Sequence, residues 1–463
     1  MVYYGALSKG CELCRRRKIK CDERKPRCLK CEKSNRVCPG YRDLGDVLFR
    51  DESSRALRLA RRVSTTSSLK LDQGRETIYY NPSLPVQELA AGFFFSKYNT
   101  YDGPYLANTP CDWLSQSYLD GTSCEALRAA VEAVGMAGLA NTSYAPQIAS
   151  RSRERYCIAL SELNDALLDP TAAAADTTLM AVILLGLFEI VSFETIDESR
   201  YWTAHVTGAL TLLQLRGQDQ FARERGGQLY VHARSQILVA CMAQKLPVPP
   251  ALVNTTYGFE TSTLRQSWKD GNLATPGSIS EISFRLINLR AAIAHGLVDT
   301  LGICEQALAI DADLEDWRLS AMVKWAYQIV PAPESADKVY FSGKQHRYAN
   351  LWVAKAWLNW RMMRVLVNQL ILENCSGLGF DVDFKSRARA VVRDLCTEIC
   401  ISVPSFDGTP HILAAIHPLH HIAAETLNHS DVRSFAFKYL FRIHKSTGVR
   451  QAGRLAEIAS QLL

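Results

Sequence analysis

The sequence predicts a mostly α-helical protein, with a small cysteine-rich module at the front, a polar linker, and a large all-α body behind it. Three observations predict this. Six of the 14 cysteines fall within residues 11–38. From about residue 85 onward apolar residues recur at helical spacing, with few of the alternating runs that mark strands. Charge divides along the same line. Residues 1–62 hold 18 Lys/Arg against 8 Asp/Glu, a net +10, so the remainder of a chain whose total is +6 carries −4. With 463 residues, 48% of them hydrophobic, there is room for about two to three domains.

Cys11, Cys14, Cys21, Cys28, Cys31 and Cys38 are spaced C-x2-C-x6-C-x6-C-x2-C-x6-C, two copies of one unit offset by 17 residues. No histidine lies among them; the first is His205. A tetrahedral zinc takes four soft ligands, so six thiolates either complete one site and leave two sulfurs over, or serve two ions by sharing. Two ions need eight bonds, which six sulfurs supply if two of them bridge, and this favours a binuclear thiolate cluster. Disulfides are the competing reading. The opening residues carry no apolar leader, so a reducing compartment is expected, where disulfides are rare. Apolar side chains in the module are few, chiefly Leu13, Ile19, Leu29 and Val37, too few for a core. Metal contributes about 10–16 kcal/mol to structural zinc modules, enough to fold this one, and without metal it is expected to be unfolded.

From Lys9 to Arg42 stand 13 Lys/Arg and four Asp/Glu, a net +9. Six thiolates and two Zn2+ would leave about +7, a density that attracts a polyanion. The two copies are unequally charged. Between its second and third cysteines the first carries Arg15, Arg16, Arg17, Lys18, Ile19 and Lys20, and the second carries Glu32, Lys33, Ser34, Asn35, Arg36 and Val37. The first half is therefore expected to approach DNA and the second to buttress it. The run Arg15 to Lys18 also reads as a nuclear import signal, so the expected localisation is the nucleus.

These residues resemble the fungal Zn2Cys6 binuclear-cluster DNA-binding domain. The pattern C-x2-C-R-x2-K-x-K-C runs from Cys11 to Cys21, Pro26 stands in the connecting loop, and Cys28, Cys31 and Cys38 follow. The resemblance covers about a tenth of the chain. It implies two Zn2+ held by the six cysteines, with Cys11 and Cys28 bridging, and a short helix after Cys11 whose C-terminal end faces the major groove of double-stranded DNA. It places Arg17 and Lys18 where family members contact a CGG-type triplet, with Arg15 and Lys20 supporting through phosphates. Arg and Lys suit guanine, whose O6 and N7 are both acceptors.

Pro39-Gly40 ends the module in a turn. In the linker, Asp51 or Ser53 can cap a helix of about three turns. Ala56, Ala60 and Val63 fall on one side of it and Arg55, Arg58 and Arg62 on another, which reads as an exposed amphipathic helix in preference to a basic arm on DNA. Stepping by seven from Leu48 gives Arg55 and Arg62, so no heptad seam survives. A monomer and a homodimer formed through the helical body therefore both stay open. Residues 64–68, Ser-Thr-Thr-Ser-Ser, are a flexible linker.

In the body the spacing predicts helices over residues 124–140, opened by a Thr122-x-x-Glu125 capping box, and 151–168, entered through Pro146. Residues 179–191 read as a buried central helix, too short to span a bilayer. Further helices are expected over 201–217, 228–245, 280–308, 313–329, 345–373, 384–401, 411–428 and 431–444. The segment 201–217 carries H-x2-G-A-x2-L-L-x2-R-G, with Gly217 as a left-handed cap, and is similar to the regulatory domain that follows the cluster in filamentous-fungal transcription factors. His205 is read as packed and hydrogen-bonded.

Other constellations carry less. His411, His417, His420, His421 and His429 are read as a solvated or capping set, because a His417/His421 metal pair needs a helix continuous through Pro418. Cys396 and Cys400 share a helix face as small buried hydrophobes, and Cys111, Cys124, Cys157, Cys241, Cys304 and Cys375 are dispersed. Asn141-Thr-Ser143 is a glycosylation triplet by pattern only. There is no G-x-S-x-G elbow, phosphate loop or G-x-G-x2-G turn, so an enzyme is not expected. The expected division is 1–10 flexible, 11–42 the Zn2Cys6 domain, 43–84 the linker, and 85–463 an all-α regulatory domain. The reading is a zinc-dependent, sequence-specific transcription factor of RNA polymerase II genes, regulating metabolic or secondary-metabolite genes. Its expected partners are DNA, the transcription machinery or co-regulators and, left open, a small-molecule effector, with no membrane. The alternative is a helical receptor or enzyme-like body with a basic nucleic-acid tether.

Overall fold

The computed structural model describes residues 11–39 except 23 and 25, and residues 85–461 except 101–112, 120, 122–123, 195–198, 271–278, 335–338 and 376–381. They form two compact units, one within Met1–Glu52 and one within Ser53–Leu463. The linker with its basic amphipathic helix lies outside the described residues.

The first unit holds two short helices, α1 (Glu12–Arg16) and α2 (Leu29–Lys33). Its core is sulfur: Cys11, Cys14, Cys28, Cys31 and Cys38 are buried, with only Leu13 and Cys21 packed against them. Ile19, Leu29 and Val37 stay exposed, so apolar burial does not explain this fold.

Among the described residues the second unit is helical apart from one hairpin. Its first part comprises α3 (Val86–Lys97), α4 (Trp113–Leu119), α5 (Glu125–Ser143), α6 (Pro146–Ala166), α7 (Pro170–Ala173), α8 (Asp176–Val191), α9 (Ser199–Arg216) and α10 (Glu224–Gln244). Small residues set its centre. α5 is alanine-rich and buried nearly all round, so neighbouring helices approach it closely. At Gly135 an added Cβ would lie 2.0 Å from the Ala90 carbonyl oxygen of α3, which requires glycine there. α8 is almost wholly apolar and buried, as its composition predicts. No helix among the described residues is long and apolar enough to cross a membrane.

The second part comprises α11 (Pro250–Glu260), α12 (Thr263–Asp270), α13 (Ile279–Ala294), α14 (Thr300–Lys324), strands β1 (Gln328–Pro331) and β2 (Lys344–Arg347), then α15 (Leu351–Asn374), α16 (Val382–Ser402), α17 (Ile416–Ala424), α18 (Ser430–Thr447) and α19 (Arg450–Ser460). The strands pair antiparallel, Gln328 opposite Arg347 and Pro331 opposite Lys344. Arg361 on α15, with no exposed surface, ties this hairpin to the helices. Its Nε donates to Glu398 at 2.9 Å and its Nη1 to the Tyr348 hydroxyl at 3.0 Å. Its guanidinium also lies 4.9 Å from the centre of the Tyr327 ring. Chain ends meet across the unit, where the Tyr98 hydroxyl donates to the Thr447 carbonyl. Asn141 donates to the carbonyls of Val191, at 2.9 Å, and Gly448, at 2.8 Å. That engagement makes Asn141 a structural clasp, whatever its triplet.

Several local expectations are corrected. α5 starts at Glu125 with Cys124 as its N-cap and no side-chain cap bond, and Thr122 of the expected capping box lies outside the described residues. α6 starts at Pro146 itself, which sits in the first turn. The expected helices over 280–308 and 313–329 are divided elsewhere. The chain breaks at Gly296, with φ +65°, and Asp299 recaps it by accepting from the Gly302 amide at 2.8 Å, so that α14 runs on to Lys324. Residues 345–347 are strand, and α15 begins after Asn350, which caps it by accepting from the Val353 amide. Gly217 has φ +58° but ψ −150°, so it ends α9 with a positive φ and not with the left-handed cap geometry. Cys304 and Cys375, dispersed in sequence, are joined as a buried disulfide between α14 and the end of α15.

Candidate metal centre and nucleic-acid interface

The two cysteine units are built alike, residue for residue. In the second, Cys28 is the N-cap of α2 and its Sγ accepts from the Cys31 amide at 3.4 Å. α2 stops at Asn35, whose φ of 55° turns the chain so that the Arg36 amide reaches back to the Cys31 carbonyl at 3.1 Å. In the first, α1 stops at Lys18, whose φ is 54°, and the Ile19 amide reaches the Cys14 carbonyl at 3.0 Å. Each pair of equivalent residues is 17 apart, the offset of the cysteine repeat. Such a bond, spanning five residues across a left-handed residue, is the Schellman form of helix end. Asparagine tolerates that conformation, whereas lysine occupies it at a cost of about 1–2 kcal/mol. A strained backbone that holds an exposed cation is a pointer to function at Lys18.

Asp22 secures the join between the units. Its carboxylate accepts from the amides of Leu29, at 3.0 Å, and Lys30, at 3.4 Å, at the start of α2, and the Leu29 bond holds its pKa below the usual carboxylate value. Lys18 and Lys20 are exposed. Arg17 is exposed too, but its Nη1 donates to the Ser34 hydroxyl at 3.4 Å, linking the basic run to the end of α2. The Arg15 backbone lies in α1, and its side chain lies outside the described residues.

The sulfurs converge in two sets: Cys11, Cys14, Cys21 and Cys28, and Cys11, Cys28, Cys31 and Cys38. In each set the sulfurs all lie within 4.8 Å of one another. Cys11 and Cys28 belong to both, and their sulfurs are 3.6 Å apart. Cys11 to Cys31 and Cys14 to Cys28 are 3.7 Å, and Cys14 to Cys31, which share no set, are 4.0 Å. A tetrahedron with Zn–S bonds of about 2.3 Å has edges of about 3.8 Å, so the donor set fits zinc in both size and softness. Burial pushes the Cys14 thiol up to about 12 and raises Cys11 and Cys31. As protonated thiols these groups are a poor core, and a bound dication stabilises the thiolate in their place.

No second thiol or histidine cluster of this kind occurs among the described residues. α17 does run through Pro418, because proline is tolerated in a first turn, but His421 Nε2 is engaged by Gln369 Oε1 at 2.8 Å. The histidine group is mixed: His417 and His429 are exposed, His429 as the N-cap of α18, whereas His411, His420 and His421 are half-buried, and burial lowers His411 and His421 to about 4. His205 Nε2 lies 3.1 Å from the Tyr156 hydroxyl, which donates to Glu189 Oε1 at 2.5 Å.

Comparison with known proteins agrees with this geometry. Residues 9–45 match the fungal Zn(2)-Cys(6) binuclear cluster domain, and residues 107–243 match the fungal specific transcription factor domain. These two matches, in this order, make the chain similar to fungal Zn(2)-Cys(6) transcription factors. The front domain is of a zinc-binding type, the family binds DNA, and its members are not enzymes. White-opaque regulator 2 of Candida albicans is 63% identical over 38 residues, 8% of this chain and 8% of that protein. Transcriptional regulatory protein moc3 of Schizosaccharomyces pombe is 69% identical over 32 residues, 7% of this chain and 6% of its own. The depudecin biosynthesis cluster-specific transcription activator DEP6 of Fusarium langsethiae is 40% identical over 66 residues, 14% of this chain and 10% of its own. The chain thus matches these curated relatives over a tenth of their length or less. No solved structure matches it.

Proposed function

We propose that this protein is a zinc-dependent, sequence-specific DNA-binding regulator of RNA polymerase II genes, working in the nucleus. Two Zn2+ would be held by Cys11, Cys14, Cys21, Cys28, Cys31 and Cys38, with Cys11 and Cys28 offering their sulfurs to both sites. The observation that carries this reading is the sharing of those two sulfurs between two four-sulfur sets of tetrahedral size. Bound zinc would neutralise thiolates and cross-link the two helices. The chain's own residues do the reading. α1 ends at Arg16 and turns at Lys18, so the cations Arg17 and Lys18 stand just past its C-terminal end, where they complement the helix dipole and reach guanine edges of a CGG-type triplet. Arg15 and Lys20 hold phosphates on either side, fixing register without reading sequence. In this reading residues 11–42 form the reader, 43–84 the linker, and 85–463 a regulatory body that controls output at metabolic or secondary-metabolite genes.

The test is selection of bound duplexes from a random pool by the full-length protein with zinc present. Enrichment of CGG-containing sites is expected, singly for a monomer or paired at fixed spacing for a dimer. A pool that stays random while binding remains strong and salt-dependent would overturn sequence-specific reading.

A further inference from the structure

One face of α18 lies at the edge of the body's core, with Phe437 half-buried against the core and Lys438, Phe441 and Lys445 exposed. Val432, Phe435, Ala436, Tyr439, Leu440 and Ile443 are buried on the inner side. On the outer side Phe437, Lys438, Phe441, Arg442, Lys445 and Ser446 line a shallow hollow of about 580 Å³. Their spacing, i, i+1, i+4, i+5, i+8, i+9, makes a single stripe about 13 Å long, about two and a half turns. Phe441 is 42% exposed, and Lys445 Nζ stands 4.8 Å over its ring. Three cations share the stripe, yet Arg442 alone has a carboxylate near it, Asp407 at 3.6 Å, among the described residues. This cationic strip sits on a body whose net charge is −4 beyond residue 62, so it is a local reversal of sign.

We infer that this face of α18 is a docking surface for an acidic amphipathic peptide segment, one in which Asp or Glu alternate with large apolar side chains at helical spacing. Charge complementarity selects the acidic groups, since Lys438 and Lys445 have no carboxylate neighbour among the described residues. The exposed Phe441 ring, with the half-buried Phe437 one turn before it at the edge of the hollow, selects the apolar ones. A DNA backbone would satisfy the cations but has nothing to place against the rings. Lys445 over Phe441 combines both demands in one spot, where a carboxylate and an apolar group are received side by side. This inference is independent of the zinc module, and either reading stands if the other fails.

The test uses the full-length protein and a fluorescein-labelled 15-residue peptide of Glu and Asp with Leu and Phe at i, i+4 spacing, read by anisotropy. Two comparators are a peptide of equal charge with every Leu and Phe replaced by Ser, and a random-sequence duplex. Saturable micromolar binding of the first peptide is expected, with at least tenfold weaker binding of the serine peptide. Phe441→Ala and, separately, Lys438→Glu with Lys445→Glu should each weaken the first peptide at least tenfold and leave duplex binding within twofold. Thermal unfolding checks that the variants are folded. If Phe441→Ala is not, the lysine pair, whose side chains are exposed, decides alone. The inference is overturned by absence of saturable binding, by equal binding of the serine peptide, by variants within twofold of the parent, or by a loss confined to the duplex.

Discussion

Lys18 separates two demands that one residue meets at once, a backbone turn and a cationic side chain. Its φ of 54° ends α1 and permits the Ile19-to-Cys14 bond, while its side chain is exposed. Substituting Lys18→Asn installs the residue that fills the equivalent position, Asn35, in the second unit. The turn should survive, with stability unchanged or raised by about 1 kcal/mol, because asparagine accepts the left-handed region more readily. The proposed base contact is removed, at a cost of about 1–3 kcal/mol, or roughly 5- to 150-fold in affinity for the selected site. Binding to random duplex should fall far less, with a salt slope smaller by about one phosphate contact at most. The assay is paired titration of selected and random duplexes at several salt concentrations, alongside zinc content of the variant. Equal losses on both duplexes would refute base reading by Lys18. Loss of zinc together with DNA binding would instead show that the side chain is needed for the fold, contrary to the argument from Asn35.

Two further predictions concern the body. Arg361→Leu leaves Glu398, Tyr348 and His346 without their shared donor and should cost about 3 kcal/mol in denaturant unfolding, with zinc content unchanged; a cost under about 1 kcal/mol would remove the network from any role in stability. His346, 2% exposed, is held neutral by burial and by Arg361, which lower its pKa to about 3. Its folded pKa lies below the unfolded value near 6.5, so between these the unfolded chain binds the extra proton. Stability is therefore full above about pH 6.5 and declines as pH falls toward 3. His346→Gln should reduce that slope by up to about 1.4 kcal/mol per pH unit, and an unchanged slope in urea midpoints at pH 7, 6 and 5 would contradict the assignment.

The metal module was the most legible part of the chain, because coordination chemistry ties ligand type and spacing directly to geometry. Six thiols at a repeat of 17 leave few ways to meet, and the sulfurs of Cys11 and Cys28 do fall in both sets. What spacing could not reveal was the helix ending shared by Lys18 and Asn35, since one of the two is a residue that ordinarily avoids a positive φ. In the body, long apolar runs marked helices but not where they stop. Gly296 and Asp299 divide what reads as one periodic segment, and a short cap outweighs periodicity there. The hairpin of β1 and β2 escaped notice because four-residue strands carry little alternation, and its anchor is a buried arginine 14 residues downstream of β2. Cys304 and Cys375, 71 residues apart, meet only through the packing of α14 on α15. Proline at 418 argued against a helix that forms anyway, since the first turn does not need its amide.

Everything proposed for DNA depends on six sulfurs sharing two ions, and the direct measurement is native mass spectrometry of the zinc-loaded full-length chain, coupled to alkylation of its free thiols. Two zinc ions per chain are predicted, with Cys11, Cys14, Cys21, Cys28, Cys31 and Cys38 all protected and all becoming reactive together on chelation. A single zinc, with two of the six alkylated while it is bound, would contradict a shared-sulfur cluster and return the front of the chain to a four-ligand site.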